Sequence, residues 1–254
     1  MTPEELKSAR ESYGYIPARL VRVSDDGAAK LTWKSLKLDM DVPHKWQTDD
    51  PKIRARYSSL ELDIFHHALL NGVHDEDLIH GLLSVVFWGF ASGTDGRVNS
   101  MRALSRSRAI LSGRKNTFPQ NPEQIVEHLR KAHGLLEASR IADALRETQK
   151  IKFLGMSFAS KVLAFMNPSI AVVYDNVISN KLRGSDLSSL FVSTKLTNSQ
   201  KGRMHQAMTY ERWCRWCVAT AETLNASAMN WTDWNGAEHN WRAVDVERAF
   251  FALG

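Results

Sequence analysis

Two residues of this chain have side chains suited to covalent chemistry and lie close enough in sequence to meet: Lys161 and Asp175. Both sit in the stretch LGMSFASKVLAFMNPSIAVVYDNVISNKL, residues 154–182. Phe158, Ala159, Val162, Leu163, Phe165 and Met166 fall on one wide apolar arc at helical spacing, and Lys161 borders that arc one turn before Phe165. A neutral lysine amine is a nucleophile that can attack an electrophilic carbon and go on to a Schiff base. A carboxylate beside it can stabilise positive charge that develops as a leaving group departs, or manage the proton. The same residues also have a plain structural use. Lys161 can snorkel from a core helix, and Asp175 can cap the helix that follows it.

Positioning depends on the flanking elements. Gly155 allows a tight approach of backbone to a partner, and Ser157 is the expected cap of the Lys161 helix. Asn167 and Pro168 stop that helix, and SIAVVY reads as an extended apolar connector leading to Asp175. Two short antiparallel elements of this kind would bring Lys161 and Asp175 to one cleft.

Around this hairpin the chain reads as mainly α. Helices are expected at 3–12, over SSLELDIFHHALLNG, over DEDLIHGLLSVVFWGFASG, at 102–111, 122–129 and 135–148, near 201–224 and at 242–252. In the first of the two quoted stretches Leu60, Leu62, Ile64, Phe65, Ala68 and Leu69 mark the apolar face. The second is apolar all round and predicts a central buried helix. Short strands are expected around ARLVRVS and AAKLTW, joined by the DDG turn, with 38–53 a loop. The predicted organisation is an N-terminal extension, 1–56, packed on a helical body, 57–254, with the hairpin at about 150–165.

Composition bounds the partners. The 254 residues carry a formal charge of +5, modest for the length, but the positive charge is concentrated. GRVNSMRALSRSRAILSGRK holds Arg97, Arg102, Arg106, Arg108, Arg114 and Lys115 with no acid, and Asn99 among them. Arginine forks and hydroxyls in such a segment suit a phosphate backbone, although a solvated helix face would look the same. No run is long and apolar enough to span a bilayer, and the polar N-terminus has no signal core, so a cytoplasmic protein without membrane attachment is expected. The two cysteines, Cys214 and Cys217, read as a buried thiol pair; neither they nor His66, His67, His80 and His205 form a metal set, and no metal or cofactor is expected. Trp213 and Trp216 share a helix face and read as core, as does Trp88. Trp231 and Trp234 lie in a loop-rich region, and Asp245 and Glu247 in the last helix are expected as salt-bridge formers or pocket walls.

The hairpin resembles the helix-hairpin-helix DNA glycosylase superfamily, nearest to its 8-oxoguanine DNA glycosylase (OGG-fold) branch. The resemblance rests on Leu154-Gly155-Met156-Ser157 at the hairpin, Lys161-Val162-Leu163 at the lysine and Val172-Val173-Tyr174-Asp175 before the aspartate, and extends over about residues 60–250. It implies a two-lobed helical fold that acts as a monomer on double-stranded DNA, everting a damaged or modified base for excision. By carry-over, Asp175 stabilises the oxocarbenium-like transition state, and Lys161 attacks C1′ and supports β-elimination. Gly155, Met156 and Ser157 hold a phosphate, with Arg97, Asn99, Arg102 and Arg106 as further DNA contacts. Phe165, Trp231 and Trp234 are the candidates for the base pocket. The chain departs from the pattern in three places: Ser157 stands where a second glycine is common, the lysine-to-aspartate interval is short, and Val177 replaces a histidine. In the register set by glycine and aspartate, the lysine position of related enzymes falls near Ser157. A monofunctional enzyme using water, and a non-catalytic DNA-binding protein using the hairpin as a phosphate clamp, both stay open. So does the base, oxidised guanine or a modification of foreign DNA.

Overall fold

The computed structural model describes residues 1–14, 16–24, 26–42, 59–91, 98–114, 118–195, 197 and 199–253, with Ser59 as backbone only. The described residues are mainly α: ten α-helices, a single 3-10 turn and five short strands. They group into two compact units. One combines Met1–Tyr13, Arg130–Lys150 and Leu154–Gly254; the other comprises Gly14–Leu129 and Ile151–Phe153. The chain around the expected boundary at 56 lies outside the described residues.

In the second unit, β1 (Arg19–Arg22), β2 (Leu31–Trp33) and β3 (Leu36–Asp41) form an antiparallel sheet in the order β1-β3-β2. This corrects two expectations. The DDG turn does not pair its flanking strands, because β1 pairs with β3, and residues 38–41 are strand rather than loop. LKLDMD alternates with period two, burying Leu36 and Leu38 while aspartates take the other face. A sequence reading weighted by its aspartates misses that alternation.

Beside the sheet, α3 (Asp75–Ala91) starts on three acids, which suit its N-terminal dipole, and is then buried through Phe87. Its Ser84 Oγ accepts from the Leu20 N–H at 3.0 Å, and His80 Nε2 lies 2.7 Å from the Leu20 carbonyl, pinning β1 to the helix. In α2 (Ser59–Leu70) the buried face is Leu62, Asp63, His66 and Leu70, whereas Ile64 is exposed, a rotation from the expected face. His66 reaches Ser84 Oγ at 3.0 Å, and burial lowers its pKa to about 3, so it stays neutral. The unit also holds α4 (Ser100–Ser112), capped by Asn99.

The chain passes between units within α5 (Pro122–Glu137). The expected helix at 135–148 breaks at Ser139, which takes φ 56°, and α6 runs from Ile141 to Thr148. Then follow α7 (Met156–Met166), α8 (Asn176–Arg183), a 3-10 turn (Ser188–Leu190) and α9 (Gln200–Ala226). A two-stranded ribbon, β4 (Trp231–Thr232) with β5 (Glu238–His239), precedes α10 (Ala243–Ala252). At the start of the chain, α1 (Pro3–Ser12) carries a Thr2–Glu5 capping box and packs on α10. Arg10 binds Asp245 through Nε at 3.0 Å and Nη2 at 2.9 Å, both side chains fully buried. Among the described residues no helix is long and apolar enough to cross a membrane.

Candidate active site

The site begins with how α7 starts. Gly155 is its N-cap in extended backbone with no side-chain cap, and Met156 is the first helical residue; Ser157 lies inside the first turn rather than at the cap. From there α7 is buried on nearly every side, from Ala159 through Met166. Lys161 is itself only 8% exposed. Phe165 is buried at 3%, part of this packing.

The connector after Pro168 makes few strand contacts, so its backbone is satisfied by side chains. Tyr210 Oη donates to the Val172 carbonyl at 2.9 Å, Trp213 Nε1 to the Val173 carbonyl at 3.2 Å, and the Tyr174 N–H to Ser160 Oγ at 2.9 Å. Tyr174 Oη in turn accepts from the Val192 N–H at 2.7 Å. Three consecutive residues are thereby fixed from α7 and α9, and the next residue is Asp175.

Asp175 caps α8, as its position predicts, with Oδ1 accepting from the N–H groups of Val177 at 3.0 Å and Ile178 at 3.2 Å. Its other oxygen, Oδ2, accepts from Lys161 Nζ at 2.9 Å. Burial pushes the carboxyl pKa up, but the charge of Lys161, its hydrogen bond and the two amides outweigh burial and hold it below the ordinary value. Lys161 and Asp175 thus meet, with one carboxylate oxygen spent on structure and the other on the amine.

A second carboxyl stands close by. Val244, at the start of α10, packs on Ala164 and Val173, and its N–H donates to the Pro168 carbonyl at 3.1 Å. One turn further along α10 is Glu247, 3% exposed. Burial first, and then the charge of Asp175, push its pKa to about 8, against the pull of Arg248, Lys161 and Arg10. Its neighbour Asp245 behaves oppositely. Burial raises its pKa, but Arg10, Arg242 and Arg248 win, and it is held far below the usual carboxylate range. Asp245 is therefore a salt-bridge former, whereas none of the ion pairs among the described residues ends on Glu247.

Beyond the hairpin lies a cavity of about 540 Å³ walled by Gly155 and Met156. Lys131, Arg140, Arg146, Lys150 and Arg203 line it, against only Asp143 and Glu147 among acids. Asp143 holds Arg140 and Arg146, and Glu147 holds Lys131 and Lys150. Neither Lys161 nor Asp175 lines this cavity, so it is an anion-attracting neighbour of the ion pair and not its container. Its basic residues come from α5, from α6 and the turns that flank it, and from α9, and show no run in sequence, which is why reading the chain linearly passes over them.

The remaining candidates are dispersed. Trp231 is fully buried, with the Arg10 guanidinium 3.6 Å from its ring centroid, so its face is covered by protein; Trp234 is 40% exposed. Asn99 accepts from the Arg102 N–H at 3.0 Å, and Arg102 and Arg106 lie 6.0 and 5.4 Å from the Phe90 ring centroid. These three belong to the unit that does not hold Lys161 and Asp175, and Arg97 lies outside the described residues. Cys214 and Cys217 are buried free thiols. No cluster of metal-ligating side chains occurs among the described residues.

No curated protein and no solved structure matches the chain. A family described as "Putative 8-oxoguanine DNA glycosylase OGG-like protein" matches residues 29–251, which include the hairpin, the ion pair and Glu247. The chain belongs to this OGG-like DNA glycosylase family.

Proposed function

We propose that the protein is a DNA N-glycosylase that everts a modified or damaged base from duplex DNA and releases it, acting as a monomer, with Lys161 giving it an associated lyase activity. The observation that carries this reading is the 2.9 Å contact between Lys161 Nζ and Asp175 Oδ2 at the N-terminus of α8. As the C1′–N bond breaks, its electron pair leaves with the base and positive charge grows on the sugar. The Asp175 carboxylate, fixed by two backbone amides, is preorganised to face that charge. The Lys161 amine then bonds to C1′, its proton passing to the carboxylate oxygen that already accepts it. The sugar ring C1′–O4′ bond then breaks, O4′ taking the proton held on Asp175, to give the Schiff base from which β-elimination cuts the strand. Eversion costs a few kcal/mol. The basic cavity beside Gly155 and Met156 offers phosphate contacts to offset it.

The test uses duplexes with a panel of modified bases, 8-oxoguanine included, together with a duplex holding one abasic site and borohydride. Base release from one duplex, with a covalent adduct that disappears in Lys161→Ala, is the expected result. Release without an adduct leaves a monofunctional enzyme. Absence of both, with DNA affinity unchanged in Asp175→Asn, favours the alternative in which the hairpin cavity only clamps phosphate.

A further inference from the structure

Heterolysis of an N-glycosidic bond creates two charges, one on the sugar and one on the departing base. Asp175 answers the first. The second is lowered when the base nitrogen gains a proton as it leaves, and this requires an acid that is still protonated at neutral pH. Two carboxyls whose surroundings drive them apart, one kept ionised and one kept neutral, are the pattern that divides these tasks.

We propose that Glu247 is the general acid of this site, donating its carboxyl proton to the departing base while Asp175 remains ionised. The proposal rests on the excision reading above and assigns a catalytic role to a residue outside the Lys161–Asp175 pair.

The placement comes from packing. Ala164 lies one turn after Lys161 on α7, and Val244 lies one turn before Glu247 on α10; Ala164 and Val244 belong to one buried cluster with Val173. The Val244 N–H is fastened to the Pro168 carbonyl just past the end of α7, and α10 packs against α8, the helix that Asp175 caps. The charges of both Asp175 and Lys161 act on Glu247.

Burial is the main reason Glu247 stays neutral, and the charges around it are divided. Asp175 at the head of α8 opposes its ionisation, while Lys161 on α7, Arg10 on α1 and Arg248 on α10 favour it. Tyr13, after α1, also feels Glu247, and burial raises that phenol, so it adds no charge. On α9, Tyr210, Cys214 and Cys217 also feel the charge of Glu247, and burial raises all three, leaving them protonated. Arg10 pairs with Asp245 at 2.9 Å and Arg248 lies 3.9 Å from the same carboxylate, so both cations are shared with an ionised neighbour.

In the step itself the Glu247 O–H bond breaks and an N–H bond forms on the base. The C1′–N bond breaks with its electrons going to the base, and the site is left with two carboxylates facing a sugar cation. A water molecule later returns the proton to Glu247.

Glu247→Gln tests this, because glutamine keeps the shape but cannot supply a proton. Two reactions are followed from pH 6 to 9.5 under single-turnover conditions: base release from the 8-oxoguanine duplex, or whichever panel member is cleaved, and borohydride trapping on the abasic duplex. The abasic duplex has no base to protonate, so it bypasses the acid. For the wild type, release should fall as pH rises through about 8. In Glu247→Gln it should be slower by on the order of 10²–10⁴-fold and lose that alkaline limb, while abasic trapping stays within about threefold of wild type, the size of change expected when general acid help is not involved. Equal losses in both reactions would show that the substitution damages the fold or the ion pair, and would overturn the assignment. So would a wild-type alkaline limb that survives in the variant. If the wild type traps the abasic duplex but releases no base, the excision reading itself fails and the general acid with it.

Discussion

Asp175 and Lys161 are not equally dependent on one another. Asp175 has the Val177 and Ile178 amides as well as the ammonium, whereas the hydrogen bond to Asp175 is the one that anchors the Lys161 amine. Asp175→Ala removes a helix cap and strands a nearly buried cation, and should cost ~3 kcal/mol or more of stability. Lys161→Ala leaves the carboxylate with its amides and should cost less; urea denaturation of the two variants gives the order. Glu247 makes a separate prediction. Its folded pKa of about 8 stands above the ordinary 4.5, so the folded state binds the extra proton between those values. The stability that this group contributes is complete below pH ~4.5 and is lost as pH rises towards 8. Melting temperatures of wild type should therefore fall relative to Glu247→Gln between pH 5 and 8.5, by several degrees. A constant difference across that range would mean that Glu247 is ionised throughout.

At the scale of elements, α1 is tied to α10 by Arg10, which binds Asp245 and covers Trp231. Asp245 is the N3 residue of α10, and the same carboxylate accepts from both the N–H and the guanidinium of the N-cap residue Arg242. Arg10→Ala opens a buried ion cluster and uncovers an indole at once, and a loss of ~3–5 kcal/mol is expected in equilibrium unfolding. A value under ~1 kcal/mol would place α1 outside the stable fold. Elements of this kind separate what a sequence discloses from what it conceals. The stop of α7 at Asn167 and the cap of α8 by Asp175 are local events, written within a few residues, and both are legible. The alternation of β3 was concealed by its own aspartates, and the break at Ser139 by an uninterrupted helical composition. The ion pair of Arg10 with Asp245 spans 235 positions, and no spacing rule reaches that far. Glu247 was visible as an acid in an amphipathic helix, but its proximity to Asp175 required the packing of α10 against α8, which Asp175 caps.

For the whole molecule, charge is unevenly placed, and affinity for a polyanion should follow it. Arg203 lines the hairpin cavity and has no carboxylate partner among the described residues, unlike the four other cations there. If the cavity holds a DNA phosphate, Arg203→Ala should weaken binding to any duplex sequence alike and lower the slope of log affinity against log salt by about one. Arg215, paired with Glu211 and outside the cavity, serves as the control; Arg215→Ala should leave the slope unchanged. Titrations at several salt concentrations decide between them.

The two thiols on α9 give the molecule a practical property. Burial pushes Cys214 up to about 12 and Cys217 well above the ordinary thiol, and both are enclosed. Since the chain has only these two cysteines, it is close to silent towards disulfide-exchanging reagents. A single Ser157→Cys substitution, half-exposed and next in sequence to Met156 of the cavity wall, would then supply the one thiol able to exchange with a duplex carrying a tethered disulfide. Transient encounters between this chain and DNA become capturable as one covalent species, with the attachment point chosen in advance.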